Sequence, residues 1–134
     1  MTIVVDANIA IAVLNSADLH HEEAIRRCLD ADEIAILNLT RAEALIHPTR
    51  AGVFTQASRE LDRLGFVTYE LDNATADRAR QLRATYGNRH FPMVDAVVVA
   101  FGIEREWATI TTDEKWPTIA DATVHTLGGT EPQG

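Results

Sequence analysis

Along this chain, short runs of consecutive apolar residues alternate with longer stretches in which apolar positions recur every three or four residues. Ile3 to Val5 is β-branched and wholly apolar, the pattern of a parallel strand buried on both faces, and it stops at Asp6. Ile9 to Leu14 reads as a short helix. After the polar turn Asn15 to Asp18, the stretch His20 to Leu29 carries Ala24, Ile25, Cys28 and Leu29 at helical spacing, with Glu22 and Glu23 near its positive end. Ile34 to Leu37 predicts a second strand. Thr40 to Ile46 predicts a helix stopped by Pro48, and Phe54 to Leu64 another, closed by Gly65. Phe66 to Tyr69 reads as strand three and Asn73 to Tyr86 as a helix ending near Gly87, after which Pro92 opens a helix over Met93 to Glu104. Thr109 to Thr111 is the fourth strand and Val124 to Leu127 an edge strand. The alternation predicts one α/β domain over residues 1–127 with a mostly parallel sheet of four to five strands. The tail over 128–134, made of Gly, Thr, Glu, Pro and Gln, is expected to be disordered.

Four carboxylates, Asp6, Glu43, Asp95 and Asp113, stand where these apolar runs break. Each has a structural explanation of its own. Asp6 is placed to cap the helix that follows it, and Thr40-x-x-Glu43 has the spacing of a capping box. Asp113, after Thr111 and Thr112, suits an Asx-turn. Asp95 is harder to dismiss, because from Met93 to Ile103 every other residue is apolar or Gly and the helix is expected to be buried nearly all round. The helix dipole returns about 0.3 to 1 kcal/mol to a carboxylate in the first turn, against several kcal/mol for burying the charge. A cation explains it better. The joint placement points the same way: in open α/β sheets ligands bind beyond the carboxyl ends of the strands, and Asp6 and Asp113 directly follow strands one and four while Glu43 follows strand two by a short loop. Carboxylates crowded there repel unless a cation neutralises them, and an oxygen-only ligand set selects Mg2+ or Mn2+ over zinc.

Composition narrows the setting. A chain of 134 residues with 46% hydrophobic content suits one domain, and a single cysteine, Cys28, forms no intramolecular disulfide. With no secretory signal pattern and no apolar run near the ~20 residues that cross a bilayer, a cytoplasmic protein without membrane contact is expected. The net charge of −8 opposes a polyanionic partner at first sight, but a cation held by the carboxylates inverts the local field. Of the 12 basic residues all but Lys115 are arginine, and Arg78, Arg80, Arg83 and Arg89 lie close together before the Asp95 helix, either as a solvated face paired with Asp77 and its neighbours or as an RNA-contacting surface.

Val4-Val5-Asp6-Ala7-Asn8, Arg41-Ala42-Glu43-Ala44, Met93-Val94-Asp95-Ala96 and Thr111-Thr112-Asp113 together resemble the acidic motifs of PIN-domain ribonucleases, in particular the short VapC toxins of bacterial toxin-antitoxin pairs. The resemblance spans Ile3 to about Leu127. It implies a three-layer α/β/α PIN-like fold and a metal-dependent endoribonuclease whose catalytic and Mg2+- or Mn2+-binding acids are Asp6, Glu43, Asp95 and Asp113. It further implies Asn8 and Thr111 as residues that orient the carboxylates, an RNA substrate, a cognate antitoxin and a homodimer. A basic antitoxin segment would suit both the −8 charge and the acidic cleft. A housekeeping ribonuclease of the same family is the alternative on function.

The remaining chemistry-bearing residues add candidates of lower rank. Arg89 and His90, just before the Asp95 helix, and Trp116, close behind Asp113, are placed to touch RNA, although a loop histidine and a packed tryptophan are the plainer readings. His20 and His21 are adjacent on a helix and so do not face one way. Cys28 is expected in the core. A phosphoacceptor signalling domain shares the fold class, but it typically shows an acidic dipeptide after strand one and a lysine late in the chain, whereas Asp6 is followed by Ala7 and Lys115 comes two residues after an acid.

Overall fold

The computed structural model describes residues 1–128, so all but Gly128 of the tail expected to be disordered lies outside the described residues. Five strands, β1 (Thr2–Val5), β2 (Glu33–Leu37), β3 (Phe66–Tyr69), β4 (Ala108–Thr111) and β5 (Val124–Thr126), form one sheet in the order β3-β2-β1-β4-β5. Every pairing is parallel, with Val4 opposite both Ala35 and Thr109. The apolar run at the chain start thus becomes the central strand, and β5 is at an edge, as expected.

Parallel neighbours require crossovers, and the crossovers clothe both faces. One face packs α1 (Ala7–Leu14), α2 (His21–Asp30), α3 (Asn38–Ala44) and α5 (Phe54–Arg63) against the sheet. There Ile3 and Val5 of β1 meet Ile9, Val13, Ala24, Cys28 and Leu61, all buried. The other face holds α6 (Asn73–Tyr86) and α7 (Met93–Arg105), where Val4, Ala35 and Leu37 meet Ala79, Leu82 and the buried stretch Ala96 to Phe101. Alternate residues of one strand therefore feed two cores, giving three layers, α/β/α. Each large side chain so buried contributes about 1.5 to 3 kcal/mol.

Two local expectations are corrected. The helix read as Thr40 to Ile46 and stopped by Pro48 is instead α3, a break at the buried Leu45 (φ −94°, ψ 2°), and a further short helix α4 (Ile46–Arg50) that contains Pro48. Proline is tolerated there because it stands in the first turn, where an amide has no partner within the helix. Since α3 starts at Asn38, Thr40 lies buried inside it rather than at its cap, and the capping box with Glu43 does not form. The first turn of α7 is likewise less enclosed than expected: Met93 and Val94 are exposed and Asp95 is half-buried, with full burial only from Ala96 to Gly102.

Helix ends follow their residues. Asp72 Oδ1 accepts the Thr75 amide at 2.8 Å and starts α6, and Gly65, at φ 92°, takes the left-handed position just past α5. Glu106 does the same after α7 at φ 59° without being glycine.

Candidate active site

Strand order reverses direction at β1, with β2 on one side and β4 on the other, so the crevice at the carboxyl ends of β1 and β4 is the switch point of the sheet. Asp6 is the first residue beyond β1, and Thr111 ends β4 two residues before Asp113.

Asp6 is only 3% exposed, and both its oxygens are held. Oδ1 accepts the Ile9 amide at 2.9 Å, which makes Asp6 the cap of α1, and Oδ2 accepts the hydroxyl of fully buried Thr111 at 2.5 Å. One carboxylate thus starts the helix with one oxygen and binds the end of β4 with the other. Thr111 Oγ1 also accepts the Asp113 amide at 3.0 Å, so one hydroxyl ties two acids together. Asp113 Oδ1 in turn accepts the Lys115 amide at 2.8 Å, completing the Asx-turn.

Asp95 arrives from α7. Its Oδ2 accepts the indole N–H of Trp116 at 3.1 Å, and Trp116 packs edge-on against buried Phe91 with ring centroids 5.7 Å apart. Glu43, exposed on α3, is the outermost of the four acids.

The electrostatics couple Asp6 to Asp95 and Asp113, and Asp95 to Asp113 and Glu43. Burial pushes Asp6 up to about 6, opposed by the bonds from Thr111 and Ile9 and reinforced by the charges of Asp95 and Asp113. Burial likewise raises Asp95 to about 6, opposed by the Trp116 bond and reinforced by Asp113 and Glu43. Carboxylates held unfavourably by burial and by neighbouring negative charge form an environment a cation relieves. Among the described residues, no group of three or more His, Cys, Asp or Glu side chains lies close enough together to hold a metal ion as it stands. An open, oxygen-only arrangement is what Mg2+ tolerates, since it keeps waters and takes only one or two protein carboxylates. The donor atoms of the four acids are all oxygen, the type that a hard divalent cation takes.

The other candidates are placed as follows. Asn8 is exposed in the first turn of α1 and makes no hydrogen bond to Asp6 among the described residues. Arg89 is exposed with its Nε 3.3 Å from His90 Nε2, on the loop that leads through Phe91 to α7. Two of the four clustered arginines are engaged by acids, Arg78 with Glu104 at 2.9 Å and Arg80 with Asp77 at 2.9 Å, which favours the solvated-face reading for them. His21 Nδ1 lies 2.7 Å from the Ala12 carbonyl and His125 Nδ1 2.9 Å from Arg27 Nη2. Cys28 is buried, as expected. The link from Trp116 to Asp95 was not read from the sequence. Its one visible signal is a tryptophan three residues behind an acid at a strand end.

The PIN domain family profile matches residues 3–122, and the chain belongs to that family. Several solved structures share the fold. A toxin-antitoxin complex from Klebsiella pneumoniae aligns at a TM-score of 0.75 and 22% identity, over 92% of this chain and 95% of that one. VapBC2 from Rickettsia felis, bound to a DNA fragment from its promoter, aligns at 0.73 and 14% over 94% and 98%. Mycobacterium tuberculosis VapC20, a toxin that cleaves the sarcin-ricin loop, aligns at 0.66 and 18% over 80% and 86%. No curated protein matches the sequence. Among the described residues, no helix is long and apolar enough to cross a membrane.

Proposed function

We propose that this protein is a divalent-metal-dependent endoribonuclease and the toxin of a VapC-type toxin-antitoxin pair. The observation that carries the proposal is the pair of buried and half-buried carboxylates, Asp6 and Asp95, both raised to about 6 at the switch point of a PIN domain beside Asp113 and Glu43. An ordinary scaffold gains nothing from such crowding.

In this reading Asp6, Asp95, Asp113 and Glu43 hold Mg2+ or Mn2+. When bound, the cation supplies an acidified water and charge neutralisation for phosphodiester hydrolysis. The chain's own residues prepare the site. Thr111 and the Ile9 amide fix Asp6 through both oxygens, so its position is set before any cation arrives. The Asx-turn holds Asp113 against the same hydroxyl. In the same reading Arg89 and His90, hydrogen-bonded to each other on the loop leading into α7, contact the phosphates of the RNA.

The toxin assignment is supported by the VapBC and toxin-antitoxin complexes among the fold neighbours. An antitoxin would bring basic residues to the acidic crevice, complementing the −8 charge. An apolar groove of about 590 Å3 between α1, α4 and α5, lined by Ile11, Leu14, Pro48, Val53 and Ala57 among others, adds surface for a partner chain. A homodimer and a cytoplasmic location are part of the same reading.

The test is incubation of the purified protein with total RNA in Mg2+, Mn2+ or EDTA, alongside Asp6→Ala and Asp95→Asn. Cleavage is expected only with metal and only from the wild type. Cleavage that persists in EDTA or in either variant overturns the mechanism. Co-purification with the product of a small neighbouring reading frame, with loss of cleavage, tests the toxin assignment against a housekeeping ribonuclease.

A further inference from the structure

We propose that Trp116 is a positioning residue for Asp95, fixing its carboxylate for cation binding through the indole N–H. This rests on the metal-site reading above and deepens it.

The four acids are held to unequal degrees. Asp6 has two donors, one on each oxygen. Asp113 is tied at its amide and at Oδ1. Asp95, itself half-buried, projects from a first turn whose Met93 and Val94 are exposed, and among the described residues its side chain is restrained by one hydrogen bond, from Trp116 to Oδ2. Without that bond the carboxylate is free to rotate about χ1 and χ2, and a cation would have to order it on binding.

The donor is suited to the task. An indole N–H donates and never accepts, so it holds one carboxylate oxygen without competing as a ligand. Oδ1 is left free of it. The ring cannot turn away easily, because Trp116 is half-buried and seated edge-on against Phe91, itself fully buried. Phe91 precedes Asp95 by four residues and Trp116 follows Asp113 by three, so this aromatic pair joins the loop behind β4 to the start of α7. The two acids that arrive from those elements are thereby kept in register.

The experiment compares wild type, Trp116→Phe, Trp116→Ala and Asp95→Asn for Mn2+ binding, read by the electron paramagnetic resonance of free Mn2+ with no RNA present. Phenylalanine keeps an aromatic ring against Phe91 while removing the N–H and part of the indole ring system. Residues that orient a metal ligand typically matter about 10- to 100-fold in metal affinity. Trp116→Phe is therefore expected to weaken Mn2+ binding by about tenfold while its thermal unfolding in EDTA stays close to wild type. Unchanged Mn2+ affinity in Trp116→Phe, with affinity lost in Asp95→Asn, overturns the positioning role and leaves the metal site standing. Wild type that binds no Mn2+ overturns both.

A second measurement needs no change at position 116. In 15N-tryptophan-labelled protein, the indole signal that Trp116→Phe deletes is expected to shift on Mg2+ titration and in Asp95→Asn, while the Trp107 signal stays in place. An indole signal of Trp116 that ignores both changes overturns the proposal.

Discussion

Thr111 and Asp6, 105 residues apart in the chain, meet at 2.5 Å where β1 and β4 end, hydroxyl donating to carboxylate. The same hydroxyl accepts the amide of Asp113, so a single oxygen at the end of β4 organises acids from two strands. The carboxyl ends of β1 and β4 are thus joined by a hydrogen bond between side chains as well as by the sheet.

Replacing Thr111 by Val keeps the shape and leaves both partners unsatisfied. The buried Asp6 oxygen loses a donor and the Asp113 amide an acceptor, at about 1 to 3 kcal/mol for an orphaned buried group. Urea unfolding at pH 7 should show a loss of that size in Thr111→Val, restored by Thr111→Ser. A Val variant as stable as wild type would show that the bond contributes nothing net.

Stability without metal should rise on acidification. Asp6 and Asp95 have folded-state values near 6, above the ordinary 3.8, so the fold binds their protons more tightly than the unfolded chain does. The ionised forms cost the fold free energy above pH 6, and that cost is relieved as pH falls from about 6 towards about 4. For the buried Asp6 the cost at neutral pH approaches about 3 kcal/mol, and Asp95, more open to solvent, adds less. Glu60 and Asp72, lowered by the Arg63 and Thr75 bonds, pull the other way but sit at the surface, where screening makes them minor. In EDTA, Tm at pH 5 should exceed Tm at pH 7.5, and Mg2+ should raise Tm more at pH 7.5. A Tm that falls over this window would contradict the assignment of Asp6 and Asp95.

Asp6→Asn separates stability from activity. Asparagine also caps helices well and carries no charge to desolvate. The variant should gain about 1 to 3 kcal/mol at pH 7 in EDTA and lose RNA cleavage, read by urea unfolding and by a gel assay. Destabilisation would mean that the carboxylate is structurally favourable where it stands.

Glu106 occupies the left-handed region at φ 59° at the end of α7, a conformation that costs a non-glycine residue about 1 to 2 kcal/mol. Glycine there gives back part of this gain through the greater freedom of the unfolded chain. Glu106→Gly should stabilise by about 0.5 to 1 kcal/mol in urea unfolding, with cleavage unchanged. A loss of stability would point to a contact of the Glu106 side chain that outweighs the strain.

Most elements were legible in the chain because their signals are local. Phe66–Tyr69 and Asn73–Tyr86 fall where apolar spacing and punctuation placed them. The division of α3 from α4 was not legible, because Leu45 breaks the helix by turning into the core and that choice depends on neighbours in space. Pro48 reads as a stop only if the helix is assumed to have begun at Thr40. For the candidate site, the sequence offers the four acids and Thr111 as candidates, and the structure ties Thr111 to Asp6 and Asp113. Asn8 reads equally well in sequence, yet its side chain points to solvent. Trp116 was visible only as an aromatic residue near an acid, since a bond to Asp95 requires α7 and the loop behind β4 to be brought together.

By itself the sequence determined that strands and helices alternate, that the first strand is buried on both faces, and that acids stand at the breaks. These follow from periodicity and from the cost of burying charge, which act over a few residues. Only the tertiary structure decided which acids share a field, which of them is tied by Thr111 and which by Trp116, and that Glu43 stays at the rim. Those relations depend on strand order and on helices crossing between strands, so they join residues tens of positions apart that no local pattern couples.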